Sequence, residues 1–146
     1  MSQASRLSPE GRATFAGLAD LLIPRHGRMP AATEVGAHAE LLDQVLGHRP
    51  DIVDDLLRGL AAAEGAEPSE AANRLSQSDA AAFNAITLAA SAAYYMCDEV
   101  RALIGYPGQE KAPYDPHETP VYLTNRMIER LVRRGPIYRP TPDAHD

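Results

Sequence analysis

Residues 78–105 read SDAAAFNAITLAASAAYYMCDEVRALIG, and this stretch decides the fold. Its apolar residues recur every three or four positions, the spacing that places side chains on one face of a helix. The residues that form this stripe are Phe83, Ile86, Ala90 and Ala93. We expect a long helix that begins at a cap, Ser78 or Asp79, and ends at Gly105. Because Asp98 also suits a helix start, the stretch forms either one helix or two.

Composition also favours an all-α fold with few large side chains in its core. Of the 146 residues, 25 are Ala and only 29 are Leu, Ile, Val or Phe. This share of large apolar residues is close to that of disordered chains, so a folded core requires helices that approach one another through alanine. The length fits a single domain. The sequence contains no apolar run of about 18 residues, the length that would predict a membrane-spanning helix.

Caps, prolines and apolar spacing predict four further helices. The bounds expected for them are 8–24, 33–47, 50–65 and 119–135. The segment 67–76 is expected to be a short helix or a loop. The Pro- and Gly-rich segment 105–120 is expected to be an irregular connection, and 136–146 an extended tail. We therefore expect a single helical domain over 1–146, with a core of about 7–140 and five or six helices.

The charge of the chain is uneven along its length. It has 20 acidic and 14 basic residues, a formal charge of −6, which argues against general nucleic-acid binding. Between Arg126 and Arg139, however, five arginines accompany only Glu129. In the last helix we expect an apolar side that faces inward. The inward positions are Leu123 or Thr124, Met127 or Ile128, and Leu131.

No catalytic, cofactor-binding or metal-binding residue is assigned, because the sequence contains neither GxGxxG, nor GxxxxGK[ST], nor HExxH. Glu34 and His38 stand four apart on the second predicted helix and are interpreted as a surface pair. The other histidines are interpreted as exposed loop residues: His26, His48, His117 and His145. Cys97 stands beside Asp98 and Glu99, whose charges disfavour a thiolate. This single cysteine is interpreted as a buried structural thiol.

In two segments the residue types restrict the backbone more than packing alone requires. The first segment is 104–109, IGYPGQ. Gly105 is suited to the left-handed position that ends a helix. The next four residues fit a type II turn, with Pro107 at its second position and Gly108 at its third. Such a turn holds the Tyr106 side chain in a fixed direction.

The second segment, 133–140, reads RRGPIYRP. Arginine at a helix C-terminus interacts favourably with the helix dipole, so one interpretation is a well-capped helix with an ordered tail. Tyr and Arg also dominate binding energy at interfaces, so the other interpretation is a binding surface. The candidate partner-binding residues of the two segments are Tyr106, Pro107, Gly108, Arg134, Tyr138 and Arg139.

Short stretches spread over about 7–140 resemble a known family in their order and spacing. These stretches are LADLLIPR (18–25), MPAA (29–32), EVG (34–36), LLD (41–43), YY (94–95), VRALI (100–104), GYPGQ (105–109), RG (134–135) and YRP (138–140). Together they resemble the gluconate 2-dehydrogenase subunit 3 family, whose members are small helical proteins.

The resemblance implies an accessory chain that is not itself catalytic. Members of this family accompany large glucose–methanol–choline-type flavoprotein dehydrogenases that carry FAD and oxidise a sugar or sugar acid. The small subunit binds and stabilises the large one, and in some systems assists its export. No cofactor is then expected in this chain, and the FAD lies in the partner. Because the twin-arginine leader of exported relatives is missing, we expect a cytoplasmic location unless a signal-bearing partner exports both chains.

Two other functions remain as alternatives. One is a homo-oligomeric helical scaffold or regulator whose Arg-rich last helix binds an anionic partner. The other is a self-sufficient enzyme that uses a histidine or a tyrosine within a helical bundle. A bound metal or chromophore in the isolated chain would favour the enzyme.

Overall fold

The computed structural model describes residues 7–109 and 119–135. In these ranges the chain is mostly helical and forms no β-strand. The helices are α1 (Pro9–Leu22), α2 (Glu40–His48), α3 (Val53–Ala63), α4 (Pro68–Ser78), α5 (Ala80–Met96), α6 (Asp98–Leu103), α7 (Val121–Thr124) and α8 (Met127–Arg134). The all-α prediction is confirmed, and six of these helices have at least eight residues.

The described residues fall into two compact units, 7–109 with α1 to α6 and 119–135 with α7 and α8. The single domain expected over 1–146 stays a prediction. The irregular connection and the extended tail lie largely outside the described residues.

Helix α5 is the centre of the first unit, where it packs against α1, α2, α3 and α4. Its buried face is built mostly of alanine, as the composition predicts. The buried residues are Ala82, Ala85, Ile86, Ala89, Ala90, Ala93 and Tyr94. Phe83, which the sequence places in the stripe, is only half-buried. Small side chains leave α5 thin enough for several helices to pack directly against it.

The closest approach to α5 is made by Gly59 of α3. A Cβ atom built on Gly59 would lie 2.9 Å from Ile86 Cδ1 and 3.0 Å from Ala82 Cβ. Ala82 and Ile86 are both buried, so a shift of either side chain would disturb the packing of the core. A Cβ atom at position 59 would require such a shift.

Local capping signals are confirmed at two helix starts. The Ser8 Oγ accepts a hydrogen bond of 3.0 Å from the Gly11 N–H and begins α1. The Asp79 carboxylate accepts one of 3.1 Å from the Ala82 N–H and begins α5. Each satisfies a backbone donor that the first turn of a helix leaves without an internal partner.

The long stretch 78–105 forms two helices rather than one. Cys97 has an extended backbone, with φ −67° and ψ 127°, and separates α5 from α6. Asp98 then begins α6, which is one of the two arrangements expected. Cys97 is half-buried and packs against the core, so the thiol expected to be buried is only partly enclosed. A residue at a sharp bend between two helices is less enclosed than one within a helix face.

The predicted start of the second helix is wrong, since 33–39 forms turns and α2 begins at Glu40. Thr33 does not cap this helix; its N–H and its hydroxyl donate to the two carboxylate oxygens of Asp20, at 2.8 and 2.6 Å. Gly36 has φ +69°, which interrupts a right-handed helix. The predicted end is also wrong by one residue, because Gly47 lies inside α2.

The segment around 67–76, left open by the sequence, is the helix α4. The Glu67 carboxylate caps it by accepting from the N–H of Ser69 at 2.9 Å and of Glu70 at 3.3 Å. Glutamate is not among the usual capping residues, so this start was hard to predict from residue type.

The last predicted helix is divided into α7 and α8 by Arg126, which has φ +60°. A left-handed residue other than glycine cannot continue a right-handed helix. The prediction of inward apolar positions is also wrong. The residues concerned are exposed: Leu123, Thr124, Met127, Ile128 and Leu131. Helices of four and eight residues are too short to enclose each other's apolar faces.

Gly59→Ala is expected to destabilise the protein by about 1 kcal/mol. Overpacking a buried contact costs about 1–3 kcal/mol, and the higher helix propensity of alanine offsets about 1 kcal/mol of that. Gly47→Ala is the matched control, because its Cβ would meet no atom within 4 Å, and it is expected to stabilise. Urea denaturation measures the free energy of unfolding of each variant. Equal changes in both variants would contradict the close approach of α3 to α5.

Stability is expected to fall as the pH drops from about 4 to about 2. Hydrogen bonds from Arg58, and then from the Ala82 N–H, lower the pKa of Asp79 to about 2. A carboxyl group with a lowered folded-state pKa stabilises the protein above its unfolded pKa, and this stabilisation is lost as the folded group is protonated. Thermal melts should therefore show a smaller acid dependence in Asp79→Asn than in the native chain. If the melting temperature of Asp79→Asn falls with acid as steeply as that of the native chain, the pairing of Asp79 with Arg58 is contradicted.

Candidate partner-binding site

The turn that carries Tyr106 is fixed by backbone hydrogen bonds at the end of α6. The Tyr106 N–H donates to the Arg101 carbonyl at 2.9 Å, and the Gly105 N–H donates to the Ala102 carbonyl at 3.1 Å. Gly105 has φ +68°. This combination is a Schellman motif, which confirms the left-handed helix end predicted at Gly105. The backbone at Tyr106 is thus tied to α6.

The Tyr106 side chain is 52% exposed although its backbone is held. Pro107 is exposed and Gly108 is half-buried. Gly108 has φ +90°, as the third position of a type II turn requires. The three candidate residues are consecutive and directly follow the hydrogen-bonded end of α6. An exposed aromatic ring on a held backbone loses little conformational entropy when a partner covers it.

α6 anchors this turn on the first unit. Val100 is fully buried and packs α6 onto the core. Arg101 pairs with Asp98 one turn earlier in the same helix. Since α6 has six residues, its position depends on these contacts rather than on intrinsic helix stability.

A buried tyrosine, missed by the sequence analysis as a structural residue, joins α5 to the loop that follows α1. The Tyr94 hydroxyl donates to the Pro30 carbonyl at 2.8 Å, across 64 positions of sequence. Burial raises the pKa of the Tyr94 phenol. The neighbouring Tyr95 is 55% exposed and meets the Tyr94 ring edge-on, at 5.4 Å between centroids. The YY pair thus combines one core residue with one surface residue.

The same loop is held by Glu34, whose carboxylate accepts from the Arg25 guanidinium at 2.7 Å and from the Ala31 N–H at 2.6 Å. These bonds, the one from Arg25 most, lower the pKa of Glu34. Glu34 is therefore committed to a structural role. His38 lies in a turn rather than on a helix and is half-buried, so its interpretation as half of a surface pair is wrong.

The described residues 7–109 and 119–135 contain no group of three His, Cys, Asp or Glu that could hold a metal ion. His26 and His48 are exposed, as predicted, but His48 is the last residue of α2 and not a loop residue. His117 and His145 lie outside the described residues. A cleft between α1, α3 and α4 is lined mostly by small apolar residues and carries no titratable side chain: Ala13, Thr14, Gly17, Leu18, Ala63, Ala66, Pro68 and Ala71.

Arg134, the fourth candidate residue, ends α8 in the second unit and is exposed. Its position in the last turn of a helix agrees with the predicted dipole interaction. Gly135 follows with φ +74°. Tyr138 and Arg139 lie outside the described residues.

Comparison with known proteins yields no family model, no curated protein and no solved structure that matches this chain. Among the described residues, no helix has both the length and the apolar character needed to cross a membrane.

Gly105→Ala is expected to destabilise the end of α6 by about 1 kcal/mol, because a Cβ atom is strained in the left-handed region. Gly105→Asn is the matched variant and should cost less, since asparagine tolerates this conformation. Hydrogen exchange of the Tyr106 amide should accelerate most in the alanine variant. Equal exchange in both variants would contradict the role assigned to the Schellman motif.

Proposed function

We propose that this chain is a non-catalytic small subunit that binds and stabilises a larger FAD-dependent dehydrogenase of the glucose–methanol–choline type. The large subunit would oxidise a sugar or sugar acid and carry the FAD. The residues proposed to contact it are Tyr106, Pro107, Gly108, Arg134, Tyr138 and Arg139. This assignment begins from the sequence resemblance, and the exposure of Tyr106, Pro107 and Arg134 supports it.

The observation that carries the proposal is the exposed Tyr106 ring on a backbone held by two hydrogen bonds. Tyrosine is among the residues that contribute most to binding at interfaces. A tyrosine needed only for the core of its own domain would be enclosed, as Tyr94 is. The contrast between these two side chains favours an external partner for Tyr106.

Stabilisation in a complex follows from the composition of the core. Nearly half of the buried residues, 11 of 24, are alanines, which bury little apolar area each. A partner that binds only the folded chain stabilises it by linkage. Contact with a large subunit would therefore raise the thermal stability of both proteins.

A homo-oligomeric scaffold is the second candidate, and the exposed apolar residues of α7 and α8 favour it. In that case the isolated chain should self-associate, and its Arg-rich helix should bind an anionic partner. An oligomer that forms without any flavoprotein is the observation that separates the two functions.

The direct test is capture of the tagged full chain from its native host, followed by an absorbance spectrum of the eluate. We expect a larger protein in near-stoichiometric amount with a flavin spectrum. A colourless, stable chain that elutes alone would contradict the proposal. The identity of the partner then decides the substrate.

Tyr106→Ala is expected to weaken this complex by about 2 kcal/mol, roughly 30-fold in affinity, if the ring is a hot spot. Leu88→Ala is the control, because Leu88 is also a partly exposed apolar residue but lies on α5. Retention of flavin by each variant measures binding, and circular dichroism checks its helix content. Normal capture by Tyr106→Ala, or loss of helicity in the isolated variant, would remove Tyr106 from the contact surface.

A further inference from the structure

The loop between α1 and α2 contains a tight hairpin turn, residues 26–29. The His26 N–H donates to the Met29 carbonyl at 3.0 Å, and the Met29 N–H donates to the His26 carbonyl at 2.9 Å. Of the two central residues, Gly27 and Arg28, only Gly27 has a positive φ, at +57°. This pattern is typical of a type II′ turn. The hairpin turn thus fixes the backbone at Arg28.

Contacts with the rest of the first unit hold the hairpin turn in place. Pro30 follows it directly and is buried, and its carbonyl accepts the hydrogen bond from Tyr94 of α5. The Ala32 N–H donates to the Ile23 carbonyl at 3.1 Å, which closes the loop at its base. Compact loops with their ends close together are frequently functional. Residues 24–28 are all exposed, so the loop presents an exposed tip on an anchored base.

Arg28 differs from the other arginines of the first unit because it has no partner among the described residues. Residues 7–109 contain seven arginines and fourteen acidic residues. The arginines that pair with a carboxylate are Arg12, Arg25, Arg49, Arg58 and Arg101. Arg74 donates to the Ala62 carbonyl at 2.7 Å. An arginine without such a partner is therefore an exception in this acidic unit.

Arg25, three residues earlier, shows how a positive charge in this loop is compensated within the chain. Its guanidinium donates to Glu34 at 2.7 Å. This bond, and to a lesser degree the charge of Glu99, raises the pKa of Arg25. Arg28 has no such compensation among the described residues. Because a guanidinium binds a carboxylate through two parallel hydrogen bonds, the ligand complementary to Arg28 is a carboxylate from outside the chain.

The hairpin turn lies near the exposed aromatic residues of the first unit. Tyr94, which holds the loop, meets the exposed ring of Tyr95 edge-on. Glu99 at the start of α6 acts on Arg25, and the end of α6 holds Tyr106. α6 has six residues, about 9 Å at 1.5 Å per residue. An interface of roughly 800 Å² per partner is wide enough to include both ends of such a helix.

We infer that Arg28 binds a surface carboxylate of the large subunit, at a second contact near that of Tyr106. This inference rests on the proposed function, which supplies the large subunit as the partner. The fixed turn limits the entropy that Arg28 loses on binding. Because the first unit is otherwise acidic, a carboxylate of the partner is attracted at the hairpin turn and repelled by exposed acidic residues elsewhere. This contrast fixes the orientation of the two subunits.

The test measures the affinity of full-length variants for the flavoprotein that the native chain captures from its host. Arg28→Gln removes the charge and should weaken binding about tenfold. Arg28→Lys keeps the charge but not the planar fork of donors, and should also weaken binding, though less. Arg49→Gln is the matched control and should bind as the native chain does, because it removes the same charge from an exposed arginine that pairs with Asp51. Circular dichroism checks that each variant keeps its helices.

A photocrosslinker at His26 identifies the part of the flavoprotein that lies beside the hairpin turn. We expect the crosslinked peptide to contain Asp or Glu. Changing that acidic residue to arginine should weaken binding of the native chain and restore binding of Arg28→Glu, because the exchange rebuilds the pair with its charges reversed.

Equal affinities of Arg28→Gln and the native chain, or equal losses in Arg28→Gln and Arg49→Gln, would overturn the inference while the proposed function stands. Native affinity in Arg28→Lys would also overturn it, because the paired hydrogen bonds would then be dispensable. Saturable binding of inorganic phosphate to the isolated chain, lost in Arg28→Gln, would overturn it in favour of a phosphate ligand. If the native chain captures no flavoprotein, the proposed function and the inference that rests on it both fail.

Discussion

The close contact of α3 with α5 is the constraint on which the first unit depends. Gly59 lets the backbone of α3 approach the Ala82 and Ile86 side chains, and α5 also contacts α1, α2 and α4. Alanine contributes little hydrophobic free energy per residue, so the core must gain its stability from many close contacts. A wider spacing between α3 and α5 would leave gaps beside the alanines of α5, whose side chains are too short to fill them.

The features that sequence reasoning predicted are those decided by neighbours within one or two helical turns. The Ser8 cap, the Asp79 cap and the left-handed Gly105 all depend on bonds across three to five residues. The start of α2 was mispredicted because Thr33 bonds to Asp20, which belongs to a different element. The apolar stripe of α5 was predicted, but alanine spacing alone did not distinguish its buried positions from those of Phe83.

The candidate site also combines features decided by sequence neighbours with features decided by distant residues. Gly105 ends α6 through local backbone bonds, so the placement of Tyr106 was accessible from the sequence. The bond from Tyr94 to Pro30 spans 64 positions, so its partner could not be predicted from neighbouring residues. Exposure of Leu131 was not predicted either, because an apolar stripe on a helix indicates that something covers it without saying whether the covering surface belongs to the same chain.

Whether the surface that covers α8 belongs to the same chain or to a partner decides which free energy α8 contributes to. A covering surface within the chain would make its apolar side part of the folding free energy, whereas a surface on a partner makes it part of the binding free energy. Leu131 and Val132 are exposed beside four arginines, an arrangement that keeps the unbound helix compatible with water. With Glu129, the four arginines give residues 126–134 a net charge of +3, and like charges oppose contact between the charged sides of two such helices. The arginines therefore explain how α8 tolerates the exposure of its apolar side to water.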